Sequence, residues 1–121
     1  MKSGSVLLAA ACAIGALGVI AAAGATHGGG GTRLAAAAQI LLAHAPAVLG
    51  IALAASGDER PTRLLASAGW TMVVGASLFA ADMTARHFLA QPLFPMAAPT
   101  GGVLLIGAWL LAGFAFLRSR G

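Results

Sequence analysis

Residues 34–57 read LAAAAQILLAHAPAVLGIALAASG, a run without a charged side chain between Arg33 and Asp58, with His44 as its single ionisable group. A helix crossing a bilayer needs roughly 20 predominantly apolar residues at about 1.5 Å of rise each. The run is long enough, and it lacks the strict alternation of a half-buried strand. Reading outward, charge-free windows recur between Lys2 and Arg33, between Arg63 and Asp82, and between Arg86 and Arg118. They predict four helices, at about 5–26, 34–55, 62–82 and 101–117. Pro92, Pro95 and Pro99 do not suit a helix interior, so 83–100 reads as an outer loop. Lipid admits only helices or closed barrels, and no alternating strand segments occur. The fold class expected is all-α: one integral membrane domain over residues 1–121, a four-helix transmembrane bundle.

Composition points the same way. The chain is 60% apolar and 8% charged, whereas a soluble surface is about 25–35% charged. A soluble enzyme, a disordered tail and a nucleic-acid module are therefore disfavoured. The net charge of +4 rests on seven scattered basic residues. Such scatter fits the flanks of spans better than a phosphate-tracking patch. The expected partner is the lipid bilayer, not nucleic acid. Cys12 stands alone, so no intramolecular disulfide can form.

The first segment has a rival reading, because Lys2, an apolar run and Ala23-Gly24-Ala25 resemble a cleavable signal peptide. Its apolar stretch exceeds the roughly 7–15 residues of a signal core, so it is read as a retained span. Basic residues in short connections orient a bundle. Lys2, Arg60, Arg63, Arg118 and Arg120 fall on one side, Arg33 and Arg86 on the other. This predicts N- and C-termini on the cytoplasmic side, and the localisation expected is the bacterial inner membrane. Pairs of small residues four apart place both members on one helix face. They are Ala11/Gly15, Gly18/Ala22, Ala43/Ala47, Gly50/Ala54, Ala76/Ala80 and Ala108/Ala112. Together they predict a tight bundle with a further face open to a larger membrane complex or to a second copy in a homo-oligomer.

Few polar groups enter the spans. His44 lies ten residues into the second helix, about 15 Å deep. It is either a proton carrier or ligand, or a neutral packing residue hydrogen-bonded across the bundle. Pro46 is expected to bend this helix and free a carbonyl nearby. At 100° per residue, Gly75 and Thr71 fall on the stripe of Asp82, which predicts a meeting of His44 with the Thr71 face. Asp82 is then either the mouth of a polar path or a helix-end carboxylate paired with Arg86 four residues on. His27, His87 and Asp82 are weak candidates for a metal site at the outer end. Thr100 is placed as the N-cap of the fourth helix. The indoles of Trp70 and Trp109 need partners such as backbone carbonyls, and the segment 88–99 reads as an anchored loop or as a cap over a cavity.

Taken in order, Gly24-Ala25-Thr26-His27-Gly28, Leu42-Ala43-His44-Ala45, Gly75-Ala76-Ser77-Leu78-Phe79, Ala98-Pro99-Thr100-Gly101-Gly102 and Gly107-Ala108-Trp109-Leu110 carry a resemblance. The chain resembles the uncharacterised family of small membrane proteins that includes bacterial YgdD-like proteins and eukaryotic transmembrane protein 256. Thr26 and the order Pro99-Thr100 depart from the family's pattern, as does Ala43 before His44. The resemblance implies a multi-span protein without an assigned activity, and polar positions His27 and His44 of unknown role.

No nucleophile sits with a base and no carboxylate pair falls inside a span. The function expected first is a structural or accessory/assembly protein without catalytic activity and without a cofactor. The alternative is an oligomeric proton-linked or small-solute transporter or channel with a polar path Asp82-Thr71-His44. A further alternative is a lipid, quinone or metal binder, with its ligand beneath residues 88–99.

Overall fold

The computed structural model describes residues 3–27, 31–57 and 62–118. They form α1 (Ser3–His27), α2 (Thr32–Ala55), α3 (Thr62–Leu89) and α4 (Ala97–Arg118), with no strand among the described residues. Each helix is long and apolar enough to cross a membrane. Lys2, Arg60 and Arg120, on which the orientation leans, lie outside the described residues, as do Asp58, Glu59 and the glycines 28–30.

The bundle is built with small residues inside and large ones outside. Ala11, Ala37, Ala68, Ala76, Ala97, Ala108 and Ala115 are wholly buried, whereas Leu110, Leu117, Val103 and Ile20 are each about two-thirds or more exposed. In water, apolar surface left exposed forgoes about 25 cal/mol per Å². Against hydrocarbon it forgoes nothing, and alanine inside lets backbones approach. The pairs Ala76/Ala80 and Ala108/Ala112 are buried in the core, while Ala43 and Gly50 turn outward.

In space α2 packs against α1 and α3, α3 packs against α4, and α1 touches α3 only weakly. Glycines mark the closest passages. A Cβ at Gly69 would meet the Leu7 side chain at 2.8 Å, and one at Gly18 would meet Leu42 at 2.8 Å. At the α3–α4 crossing the contact is backbone on backbone. A Cβ at Gly101 would lie 2.8 Å from the Gly75 carbonyl oxygen and 2.9 Å from the Phe79 nitrogen.

Two boundaries differ from the sequence reading. The third helix does not end at Asp82 but runs on to Leu89, and the fourth begins at Ala97, so the loop expected over 83–100 shrinks to residues 90–96. No helix breaker occurs before Pro92, and Asp82 turns its carboxylate into the protein instead of marking an end. Pro99 is tolerated as the third residue of α4, where an amide has no intrahelical acceptor. Thr100 is therefore not the N-cap: it lies inside the first turn, with its N–H donating to the Met96 carbonyl at 2.9 Å. Ala90 (φ 57°) and Met96 (φ 69°) take left-handed conformations where the chain leaves α3 and enters α4.

Candidate functional site

Two polar centres are held within the helices, and each is closed on itself. The first lies near the α3–α4 connection. Asp82 is wholly buried, and a bare carboxylate there would cost several kcal/mol. One oxygen accepts from Arg86 Nε at 2.9 Å and the other from the Leu93 backbone N–H at 2.8 Å. The carboxylate also lies toward the Ala98 backbone, at the N-terminal end of α4, where the helix dipole favours negative charge. The helix-end pairing of Asp82 with Arg86 is thus present, and its buried carboxylate also fastens the connection 90–96 to α3. Arg33, at the start of α2, donates from Nη1 to the Arg86 carbonyl oxygen at 2.9 Å and ties a third helix to this end.

The second centre is deep in the bundle. His44, 7% exposed on α2, is 2.7 Å through Nδ1 from the Ile40 carbonyl oxygen. Trp109 Nε1 on α4 lies 3.1 Å from His44 Nε2, and the rings meet edge-on with centroids 5.9 Å apart. An indole N–H can only donate, so Nε2 accepts and the ring's one proton sits on Nδ1, donating to Ile40. The pair therefore fixes the ring's orientation and selects one tautomer.

These partners answer several sequence expectations. No hydrogen bond joins His44 to Thr71. The Thr71 hydroxyl donates instead to the Ser67 carbonyl of its own helix at 2.7 Å, and Gly75 of the same stripe faces α4. Helical counting put Thr71, Gly75 and Asp82 on one stripe, but the neighbour that Gly75 and Asp82 meet is α4, not the His44 region of α2. The polar path Asp82-Thr71-His44 is not assembled by hydrogen bonds. His27, Asp82 and His87 do not gather into a metal site: no group of three or more His, Cys, Asp or Glu able to hold a metal exists among the described residues. His27 is exposed, and His87 packs over Gly31, where an added Cβ would lie 2.9 Å from its ring.

Sequence reasoning missed Trp109 as the partner of His44 and Leu93 as that of Asp82. A signal for the first was present, since Trp109 carries a donor with no polar side chain in its own span and His44 is an ionisable group able to accept. For the second there was none, because a backbone amide leaves no mark in sequence.

Two grooves flank these centres. One of about 430 Å³ runs between α2 and α4 past Pro46, Gly50, Trp109 and Gly113. A larger one of about 680 Å³ lies between α1 and α3, lined by residues such as Leu17, Ile20, Gly24, Ala81 and Phe88.

Four apolar helices, three of them fastened by two polar centres, define a small multi-pass helical membrane protein. The chain belongs to the DUF423 family, described as a protein of unknown function, which matches residues 11–102. The matched span takes in His44, Thr71 and Asp82 and ends before Trp109. No curated protein and no solved structure matches the chain.

Proposed function

We propose that this protein is a non-catalytic structural or accessory protein of the bacterial inner membrane, a packing or assembly partner within a larger membrane system. The observation that carries the reading is the commitment of both buried polar side chains, Asp82 and His44, to fastening helices. A proton carrier needs a side chain free to exchange partners, and His44 holds a fixed donor on one nitrogen and a fixed acceptor on the other. The α2–α4 face supports a helical partner or a second copy. A Cβ added at Gly50 or Gly113 would meet nothing within 4 Å, the open small-residue surface against which another membrane helix packs. Cytoplasmic termini belong to the same proposal and rest on the distribution of Lys and Arg. The likeness to YgdD-like proteins and transmembrane protein 256 is consistent with it and adds no activity.

The test is mild detergent extraction followed by identification of what co-purifies, with His44→Ala and His44→Asn purified in parallel. A stoichiometric protein partner or a second copy is expected, as is a lowered thermal midpoint in both variants. A variant that keeps its midpoint but loses proton or solute flux in reconstituted vesicles would replace this reading with transport.

A further inference from the structure

One polar side chain deep in the spans serves neither centre. Gln39 lies on α2, five residues before His44. It stands about 7 Å along the axis from the middle of the helix, well within a hydrocarbon layer about 30 Å thick. It is exposed on the surface, and its amide makes no hydrogen bond among the described residues. A primary amide carries two N–H donors and a carbonyl acceptor, and lipid satisfies none of them.

The surface around Gln39 differs from the other faces turned to lipid. At 100° per residue, Ala35, Ala43, Pro46 and Gly50 fall within about 40° of it, and all four are exposed. A Cβ at Gly50 would meet nothing within 4 Å. By contrast α1 turns Val19 and Ile20 outward, and α4 turns Val103, Ile106 and Leu110 outward. Bulky aliphatic side chains suit contact with acyl chains, whereas small ones flanking a polar one suit the close approach of another helix.

We propose that this face of α2 is the interface of a homodimer, in which two copies inserted in the same direction bond their Gln39 amides to each other. The proposal rests on the membrane placement and the accessory reading given above, and deepens that reading by naming the partner as a second copy. The partial charges of the amide select that occupant, because a primary amide is its own complement. Two-fold symmetry about the membrane normal sets both Gln39 side chains at one depth. Each carbonyl can then accept from the other copy's amide nitrogen, and the small residues above and below let the backbones come near enough for this. Copies inserted in opposite directions would leave the two amides on opposite sides of the midplane.

The test is sedimentation equilibrium of the full chain in density-matched detergent, with cysteine cross-linking in membranes beside it. Wild-type protein should sediment as a reversible dimer. Gln39→Leu should raise the dissociation constant about tenfold, the sum expected for two bonds between membrane helices, and Gln39→Asn should raise it less. Gly50→Leu, which holds the backbones apart, should sediment as a monomer with wild-type circular dichroism. Cross-linking gives a readout without touching Gln39. In a Cys12→Ala background, Ala43→Cys should join two copies on oxidation, and Ile106→Cys on α4 should not. A monomeric wild-type protein, an unchanged dissociation constant in Gln39→Leu, or cross-linking through Ile106→Cys in place of Ala43→Cys would overturn the proposal. If a different protein co-purifies while the chain itself stays monomeric, this inference fails and the accessory reading stands. With neither a protein partner nor a second copy, both fail.

Discussion

The α3–α4 seam and the α1–α3 gap use the same small residues to opposite ends. At the seam, Gly75 and Gly101 bring two backbones into contact, and the Asp82 carboxylate locks the connection just beyond. Across the gap, Gly24 of α1 looks toward Ala81 and Ala85 of α3 over about 680 Å³, and no side-chain bond spans it among the described residues. Small residues permit close approach, but permission becomes contact only where a polar fastening or a short connection draws the helices together. The seam has both: residues 90–96 are the whole link between α3 and α4, and Asp82 binds its middle. Helices α1 and α3 have neither, since α2 stands between them in the chain.

If the fastening makes the difference, removing it should have the largest effect. Asp82→Ala takes the partner from Arg86 and the acceptor from the Leu93 amide, and should destabilise by about 3 kcal/mol, the low end for breaking a buried pair, because Arg86 retains some solvent contact. Thermal unfolding in detergent checks this, and Asp82→Asn should lose less because its amide oxygen still accepts from Leu93. An unchanged midpoint in both variants would mean that the glycine contact alone closes the seam. Gly101→Ala probes that contact directly. Its Cβ would press on the Gly75 carbonyl and Phe79 nitrogen, neither of which can rotate away, so a loss of about 1–3 kcal/mol is expected.

The four helices were legible in the sequence because charge-free length is nearly the whole requirement for a span, and the runs after Arg33 and Arg63 leave little choice. The end of α3 was not. A charged residue at the edge of an apolar run reads as a helix end at an interface, yet Asp82 is buried by groups eleven and more residues further along the chain. Pro99 misled in the same region, because a proline looks like a breaker until the first turn of a helix is known to begin before it. At the candidate site the residue types were found, His44 and Asp82 among them, but their partners were not. Helical periodicity fixes which residues share a stripe and says nothing of which neighbour that stripe meets. So Thr71 was expected as the partner of His44, whereas the bond to His44 comes from Trp109.

The His44–Trp109 bond is the third test, smaller because hydrogen bonds between membrane helices average only about 0.6 kcal/mol and reach about 1.7 kcal/mol. It crosses from α2 to α4, which otherwise touch little, so it fastens the α2–α4 groove as Asp82 fastens the seam. A double-mutant cycle with His44→Gln and Trp109→Phe should give a coupling within that range. Coupling near zero would show that the two rings only share space.

The smallest effect is expected where the comparison began. Ala81→Phe adds a large side chain at an exposed position on the wall of the α1–α3 gap, and a substitution that meets no packed neighbour shifts stability by no more than about 0.5 kcal/mol. Gly101→Ala adds a single carbon and should cost several times as much. Both sites lie on small-residue helix faces that a sequence cannot tell apart, so opposite outcomes would show that the gap is a built space and not a loosely drawn seam. A midpoint lowered by Ala81→Phe as far as by Gly101→Ala would mean that α1 closes onto α3 in the folded protein, leaving no room there for a second occupant.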